Sequence, residues 1–281
     1  MMIALTKGYL CPSQPFNGKV HSVFRRAINI TTDLTSEPWV SLLGQALPAT
    51  PTAFQCDFGA HGDLTALVKA GDVVFMRGGV IRLPAAALVV NTSAAKDWPQ
   101  TEPIMLLNQA LIQRNFGLAE AGLSQHCVAP QQQRIRSAHE YIQHLGLTTP
   151  MCLASAPEWL TNNIGYGKGL TPSGDDFLLG VLAVLSSVYE IYPKAADIFQ
   201  RIALQVQQQL GKTTDISAHY LSLALSRHFS QPVQWLVYYL LTTQDESTIA
   251  IAMAKNLSIG ASSGADTIAG ILYCITQLLL S

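Results

Sequence analysis

The spacing of hydrophobic and polar positions changes near residue 100. In the first hundred residues, short apolar runs rich in β-branched side chains alternate with turn residues, most clearly over residues 19–32, 72–83 and 87–93. Within the second run, Gly78-Gly79 separates two apolar segments, which is a signal for a two-residue β-hairpin. Proline and glycine divide the runs at the short spacings typical of a barrel or a sandwich. We therefore predict a β-rich domain over residues 1–100.

After Pro99 the apolar positions recur with a helical period. The clearest case is residues 196–210, where Ile198, Ile202, Val206 and Leu210 repeat beside a glutamine-rich face and Gly211 follows as a helix end. Further helices are predicted over residues 103–122, 131–145, 175–189, 215–228, 234–242, 246–256 and 264–280. The fold class is thus predicted to be α+β: a β-rich, barrel- or sandwich-like N-terminal domain, then an all-helical C-terminal domain over residues 101–281.

Composition narrows the function classes. Charged residues make up 12% of the 281 positions, hydrophobic residues make up 49%, and the net charge is -1. An average soluble domain has about 25% charged residues, so the chain is too apolar to be disordered. Because the sequence has no basic run, we do not expect it to bind nucleic acid. The surplus of apolar side chains predicts self-association or companion subunits.

Membranes and disulfides are not expected. The uncharged stretches at residues 177–189 and 267–281 are shorter than the roughly 20 apolar residues that span a bilayer. The N-terminus lacks the basic start and long apolar run of a signal peptide, so we expect a cytoplasmic protein. Five widely spaced cysteines with no CxxC pair are predicted to be core residues: Cys11, Cys56, Cys127, Cys152 and Cys274.

Glycines, a proline and two aspartates are concentrated at residues 165–176, GYGKGLTPSGDD. This segment leads directly into a predicted apolar helix. The glycines let backbone N–H groups approach a ligand, and the helix start adds donors and a partial positive charge. The segment matches neither the phosphate-binding P-loop nor the dinucleotide fingerprint. We predict an anion site in this segment, with binding residues Gly167, Gly169, Thr171, Ser173 and Gly174.

A purely structural interpretation of the same segment is also open. Ser173 and Asp176 have the spacing of a capping box, and Asp175 would complement the helix dipole. A cap alone explains neither Gly174 at the first helical position nor the glycines before it. If the segment binds substrate, Gly174→Ala and Asp176→Asn should lower activity while the melting temperature barely changes.

Two carboxylates beside a bound anion require a compensating cation. Like charges about 4 Å apart repel by about 4 kcal/mol at an effective dielectric constant near 20. The helix dipole offsets only about 1 kcal/mol of that repulsion. The cation could be Lys168, an arginine of the β-rich part such as Arg25 or Arg77, or Mg²⁺ held by Asp175 and Asp176. Alternatively, the carboxylates accept hydrogen bonds from a substrate amide and the phosphate lies elsewhere.

A second helix start repeats part of this segment. SGDDFLLG at residues 173–180 aligns without gaps with SGADTIAG at residues 263–270. The two starts are either independent caps or two sides of one cleft, and the second case adds Ser263, Gly264 and Asp266 to the site. Between them, KTTDISAH at residues 212–219 offers another polar helix start, capped by Thr214 or Asp215, from which Ser217 could line the same cleft.

The stretch GKGLTPSGDDFLLG, with TTDIS and IGASSGAD downstream, resembles the bacterial oxamate carbamoyltransferase subunit family of anaerobic allantoin degradation. The resemblance implies carbamoyl transfer between carbamoyl phosphate and oxamate, run as phosphorolysis of oxalurate in purine catabolism. It also implies companion subunits. For that chemistry, Lys168 would compensate the phosphate charge, and Asp175 or Asp176 would act as a base or orient the amide.

Other function classes remain open from the sequence. The chain could be a non-catalytic subunit that binds a small acid or supports a catalytic partner. A small-molecule kinase is a further alternative, and it predicts binding of ATP with Mg²⁺. Assays of the chain alone and with its companions would separate a catalytic subunit from a scaffold.

Overall fold

The computed structural model describes residues 2–59, 63–127 and 135–280. The chain divides into two compact units, Met1–Gln100 and Thr101–Ser281. The described elements of the first unit are β-strands and short 3-10 turns, whereas those of the second unit are helices. The predicted α+β class, with a β-rich part followed by a helical part, is therefore confirmed.

The first unit is a sheet that closes into a barrel. Its strands are β1 Met2–Lys7, β2 Phe16–Phe24, β3 Ala27–Thr32, β4 Trp39–Gly44, β5 Ala53–Asp57, β6 Val73–Arg77, β7 Val80–Leu83, β8 Leu88–Asn91 and β9 Lys96–Asp97. The order in the sheet is β5-β4-β3-β2-β6-β7-β8-β1, and β1 pairs antiparallel with β5 to close the ring. The two-residue strand β9 pairs with β1.

Alternating side chains of β1 to β8 form the core of this barrel. On β6, Val74 and Met76 are buried, whereas Val73 and Arg77 are exposed. Gly78-Gly79 joins β6 to β7 with φ values of +56° and +71°. A two-residue hairpin turn needs these left-handed values, which glycine adopts without steric cost. The predicted hairpin is therefore confirmed.

The second unit consists of helices, and most of their ends lie close to those predicted, except the starts of the first two. They are α1 Gln109–His126, α2 Ala138–Leu145, α3 Ser173–Ser187, α4 Pro193–Gln209, α5 Asp215–Leu225, α6 Gln231–Thr242, α7 Glu246–Leu257 and α8 Ser263–Leu279. The helix predicted from residue 103 begins later, because the Asn108 side chain accepts a hydrogen bond from the Leu111 amide and caps α1. Residues 131–134 of the predicted second helix lie outside the described residues, and residues 135–137 are not helical, so its predicted start is wrong. Helix α2 begins at Ala138, because the Ser137 side chain accepts a hydrogen bond from the Glu140 amide and caps it.

Helices α3 and α8 cross at two glycines in the centre of the second unit. A Cβ on Gly180 would lie 2.1 Å from the Thr267 carbonyl oxygen, and one on Gly270 would lie 2.0 Å from the Phe177 carbonyl oxygen. No side chain fits at these distances, so the two backbones touch. Gly180 and Gly270 occupy matching positions in the aligned segments, so the two helices contact each other reciprocally.

Two further expectations can be compared with the described residues. No helix in residues 2–59, 63–127 and 135–280 is long and apolar enough to cross a membrane. Cys56 and Cys274 are buried as predicted, and Cys11 and Cys127 are partly buried. Cys152 is exposed, so its prediction as a core residue is wrong; it follows Met151, which is also exposed, in the connection before α3.

Candidate active site

The glycine-rich segment before α3 is a loop with left-handed backbone at alternate positions. The φ values are +77° at Gly165, +125° at Gly167 and +93° at Gly169. Side chains other than glycine rarely adopt these values, so the glycines set the shape of the loop. Between Gly167 and Gly169, no backbone N–H group donates a hydrogen bond to a described residue. These exposed amides are available to a ligand.

The alternative interpretation of this segment, a capping box with Ser173 as the N-cap, is wrong. The N-cap residue is Pro172, which makes no side-chain capping bond, and Ser173 is already the first helical residue. The Gly174 amide donates to the Tyr166 carbonyl oxygen at 2.9 Å. Gly174 therefore cannot supply a phosphate donor, and the donors open to an anion lie in the loop before it.

Gly174 has a packing role that its sequence position did not reveal. A Cβ at this position would lie 2.0 Å from the Asn163 carbonyl oxygen. The second helical residue of α8, Gly264, is equally constrained, since its Cβ would lie 1.8 Å from the Asn256 carbonyl oxygen. The prediction that Gly174→Ala would leave the melting temperature nearly unchanged is therefore corrected, because an alanine collides with neighbouring backbone.

Asp175 is fully buried and saturated with hydrogen bonds. Its Oδ1 accepts from the Gly165 amide at 2.8 Å. Its Oδ2 accepts from the Ser217 hydroxyl at 2.6 Å and from the Thr213 hydroxyl. Thr214 caps α5 by accepting from the Ser217 amide, which turns Ser217 toward the carboxylate. Asp175 thus ties the glycine loop to the start of α5.

Asp176 is also buried, with 4% of its surface exposed, but its Oδ2 has no hydrogen-bond partner among the described residues. Burial raises the pKa of this carboxyl well above its usual range. Polar contacts with Ser263 and Thr171 oppose the rise, whereas the charges of Asp266 and Asp175 add to it. Asp176 therefore holds a proton at a higher pH than an ordinary aspartate does.

The start of α8 meets the start of α3 at these carboxyls. The hydroxyls of Thr171 and Ser263 are 2.8 Å apart. Asp266 is fully buried, and its Oδ1 accepts a hydrogen bond from the Tyr141 hydroxyl at 2.7 Å. The structure thus brings together the two helix starts that the internal sequence match pairs.

Asp266 resembles Asp176 in one respect: its Oδ2 is buried and has no partner among the described residues. Burial raises the pKa of the Asp266 carboxyl, while polar contacts with Tyr141, Ser173 and Ser262 oppose that rise. The two helix starts therefore each place one unpaired carboxyl oxygen in the interior. Buried polar atoms are usually paired, so two orphaned oxygens at one place indicate a ligand site.

The predicted cations have different surroundings. Lys168 is exposed and forms no ion pair with the described part of the chain. Arg77 already donates hydrogen bonds to the Phe16 carbonyl and to the Asn17 side chain, both at 2.7 Å, within the first unit.

Among the described residues there is no group of three or more His, Cys, Asp or Glu side chains that could hold a metal ion. Magnesium binding at Asp175 and Asp176 stays a prediction.

Sequence reasoning missed several residues of this site. Tyr141 lies on α2, far from both helix starts in the chain, and no local pattern marks it. Asn163 and Asn256 contribute backbone oxygens rather than side chains to the packing of Gly174 and Gly264. Thr213 lies within KTTDISAH, the segment at residues 212–219 that the sequence did single out, next to the predicted cap Thr214.

Two grooves in the second unit lie elsewhere. One encloses about 460 Å³ beside Phe199 and Arg227, and the other encloses about 410 Å³ beside Phe116 and Tyr273. None of the predicted site residues lines either groove. The candidate site is therefore identified by its chemistry, namely exposed loop amides above buried, unpaired carboxyls, and not by cavity size.

Comparison with known protein families matches both units. A family model described as the AllH family N-terminal domain matches residues 4–97, which form the barrel. A second model, described as oxamate carbamoyltransferase subunit AllH, matches residues 163–275, which include the glycine loop and both helix starts. No solved structure matches the chain. The chain belongs to the AllH family of oxamate carbamoyltransferase subunits.

Proposed function

We propose that this subunit itself performs carbamoyl transfer between carbamoyl phosphate and oxamate, and that the reaction takes place where α3 and α8 begin. The observation that carries the proposal is the buried Oδ2 of Asp176, which has no partner among the described residues. A carboxyl with a raised pKa and a free oxygen is equipped to exchange a proton with a substrate.

The proton balance of the reaction requires such a group. In phosphorolysis, an oxygen of inorganic phosphate bonds to the ureido carbon of oxalurate, and the bond from that carbon to the oxamate nitrogen breaks. The leaving nitrogen must gain a proton, because an amide anion is a very poor leaving group. Asp176 in its protonated form donates this proton. Its carboxylate is reprotonated by the proton that hydrogen phosphate loses as it becomes the phosphate group of carbamoyl phosphate. In the reverse direction its carboxylate takes a proton from the oxamate amide as the nitrogen attacks.

The glycine loop supplies the phosphate-binding half of the proposed site. Its amides between Gly167 and Gly169 are free of bonds to described residues and can donate to phosphate oxygens. Lys168 provides the positive charge. Burial also reduces the expected repulsion: a protonated Asp176 does not oppose the phosphate with the roughly 4 kcal/mol of a charged neighbour about 4 Å away.

The other predicted binding residues divide into two groups. Thr171, Ser173 and Ser263 surround the unpaired carboxyls and can contact a substrate directly. The Ser217 hydroxyl donates a hydrogen bond to Asp175, so Ser217 acts through that residue. Asp175 itself holds the loop in place, because all three of its bonds go to loop or helix groups. Of the two predicted catalytic aspartates, the hydrogen-bonding pattern favours Asp176.

A non-catalytic role within the complex is the competing proposal. The apolar side chains of Met105, Leu106 and Met151 are 76%, 82% and 101% exposed. Such exposed apolar groups suit contact with companion subunits. The test that separates a catalytic subunit from a scaffold is phosphate-dependent breakdown of oxalurate, measured with the isolated chain and with the assembled complex. Turnover by the isolated chain excludes the scaffold. If activity appears only in the complex, loss of turnover in Asp176→Asn supports catalysis here, and full turnover supports the scaffold.

The phosphate-binding half can be tested through Lys168. In the assembled complex, Lys168→Met should raise KM for phosphate by about tenfold, the effect of removing one charge-assisted hydrogen bond. KM for oxalurate should change little. Lys194→Met, at an exposed position on α4, is the matched control. Equal KM values for phosphate in the two variants would remove Lys168 from the site.

A further inference from the structure

Asp266 is not accounted for by proton transfer at Asp176. It is fully buried, its Oδ1 is held by the Tyr141 hydroxyl, and its Oδ2 has no partner among the described residues. A carboxyl kept in the interior with one oxygen bound and the other unpaired costs stability. Its orientation is also set, because the Tyr141 bond selects which oxygen stays free. These features indicate a binding group rather than a packing residue.

We propose that Asp176 and Asp266 together bind the NH₂ group of a primary amide, and that Tyr141 is the positioning residue that aims Asp266. This inference rests on the proposed function and identifies what the α8 half of the site binds. A primary amide carries two N–H donors on one nitrogen. The two unpaired oxygens, one from each helix start, can each accept one of them.

The difference between the two helix starts supports this division. The start of α3 follows a loop with three left-handed glycines and exposed amides, which suits an anion. The start of α8 follows a segment in which Gly260 alone has a positive φ, and its carboxyl is supported by a tyrosine hydroxyl instead. The repeated SGxD segments thus face one site with unlike chemistry, a donor-rich side at α3 and an acceptor-rich side at α8.

The arrangement predicts selectivity between two closely similar two-carbon acids, oxamate and oxalate. Oxamate presents an NH₂ group to the paired carboxyls, whereas oxalate presents carboxylate oxygens that only accept hydrogen bonds. In the transfer direction Asp176 is a carboxylate that accepts hydrogen bonds, so oxalate would set acceptors against acceptors and leave buried groups unpaired. Sites built to bind an N–H group discriminate strongly against analogues that lack it. The site should therefore bind oxamate in preference to oxalate.

The test is Asp266→Asn in the assembled complex, assayed for carbamoyl transfer to oxamate with oxalate as an inhibitor. Tyr141 donates to the position of Oδ1, so the asparagine places its oxygen there and its NH₂ group toward the substrate. KM for oxamate should rise by about tenfold or more. Inhibition by oxalate should strengthen by a similar factor, because the new NH₂ group can donate to it. KM for carbamoyl phosphate should stay within about twofold of the wild-type value.

Tyr141→Phe is the second variant, since it removes one hydroxyl and leaves Asp266 in place. It should raise KM for oxamate by about threefold to tenfold and lower the preference for oxamate over oxalate. Tyr273→Phe is the matched control, because Tyr273 is a buried tyrosine on α8 whose hydroxyl donates to the Pro150 carbonyl at 3.3 Å. Asp245→Asn, at the exposed cap of α7, controls for the charge change.

The outcomes separate this inference from the proposed function. If Asp176→Asn is inactive while Asp266→Asn and Tyr141→Phe keep the wild-type KM for oxamate and the wild-type preference over oxalate, the amide-binding pair is wrong and the catalytic role stands. If Asp176→Asn turns over normally, the proposed function itself fails. Should Asp266→Asn not fold, Tyr141→Phe alone decides, and an unchanged oxamate preference in that variant overturns the inference.

Discussion

Asp175 and Asp176 are neighbours at the start of α3, yet their carboxyl groups have opposite hydrogen-bonding surroundings. Asp175 accepts three hydrogen bonds, from Gly165, Thr213 and Ser217. Asp176 has a buried oxygen with no partner among the described residues. Consecutive helical residues point about 100° apart, so one side chain turns toward α5 and the other toward the start of α8.

The first prediction concerns stability at Asp175. Asp175→Asn replaces one acceptor oxygen with an NH₂ group that faces the donors of Thr213 and Ser217. We expect the free energy of unfolding to fall by about 3 kcal/mol, the scale of losing hydrogen bonds to a buried charged group. Chemical denaturation of the purified chain measures this. A loss below about 1 kcal/mol would show that these bonds contribute little.

The neighbouring substitution should behave differently. Asp176→Asn removes a carboxyl whose burial is unfavourable in its charged form, so we expect a melting temperature equal to or above that of the wild type. The folded protein holds this proton more tightly than the unfolded chain does. The wild-type free energy of unfolding therefore falls as pH rises above about 4, the ordinary aspartate range. The difference in melting temperature between Asp176→Asn and the wild type should therefore grow as pH rises. Thermal melts from about pH 4 to pH 8 measure this difference.

A pH dependence of the rate follows from the same carboxyl. In phosphorolysis the protonated form of Asp176 is active, so turnover should fall as pH rises through its raised pKa. Besides burial, the groups that act on this pKa are Ser263 and Asp266 of α8, Thr171 of the loop and Asp175 of α3 itself. Tyr141 of α2 and Tyr220 of α5 also face Asp176, since its charge raises their own pKa values. Pre-steady-state rates at saturating substrate, measured as a function of pH, should show this decrease. A rate that instead rises across the same range would contradict proton donation by Asp176.

Substituting the glycines at the two helix starts should lower stability, whereas a glycine elsewhere in a helix serves as the control. Gly174→Ala and Gly264→Ala place a Cβ 2.0 Å and 1.8 Å from backbone carbonyl oxygens. We expect each to lower the free energy of unfolding by about 3 kcal/mol or more, as for severe overpacking. Gly117→Ala, within α1 and with no atom within 4 Å of the new Cβ, should raise it by up to about 1 kcal/mol. Similar values for all three variants would contradict this packing.

The sequence predicted those parts of the structure that depend on local pattern. The Gly78-Gly79 hairpin and most helix ends follow from turn chemistry and apolar spacing. The Ser173 cap was wrong by one residue, because Pro172, with its restricted φ, takes the N-cap position. Closure of the barrel through β1 and β5, and the bond from Tyr141 to Asp266, join residues far apart in the chain. Only the tertiary fold determines such contacts, so no spacing rule could have identified which aspartate stays unpaired.

The most direct test of the account is the turnover of Asp176→Asn, assembled with its companion subunits, in phosphate-dependent breakdown of oxalurate. If Asp176 exchanges the proton, kcat should fall by about a hundredfold or more, the usual contribution of one acid–base group. The melting temperature of the chain should be no lower than that of the wild type. Near-normal turnover of a correctly folded, assembled Asp176→Asn complex would contradict the claim that this subunit carries out the chemistry.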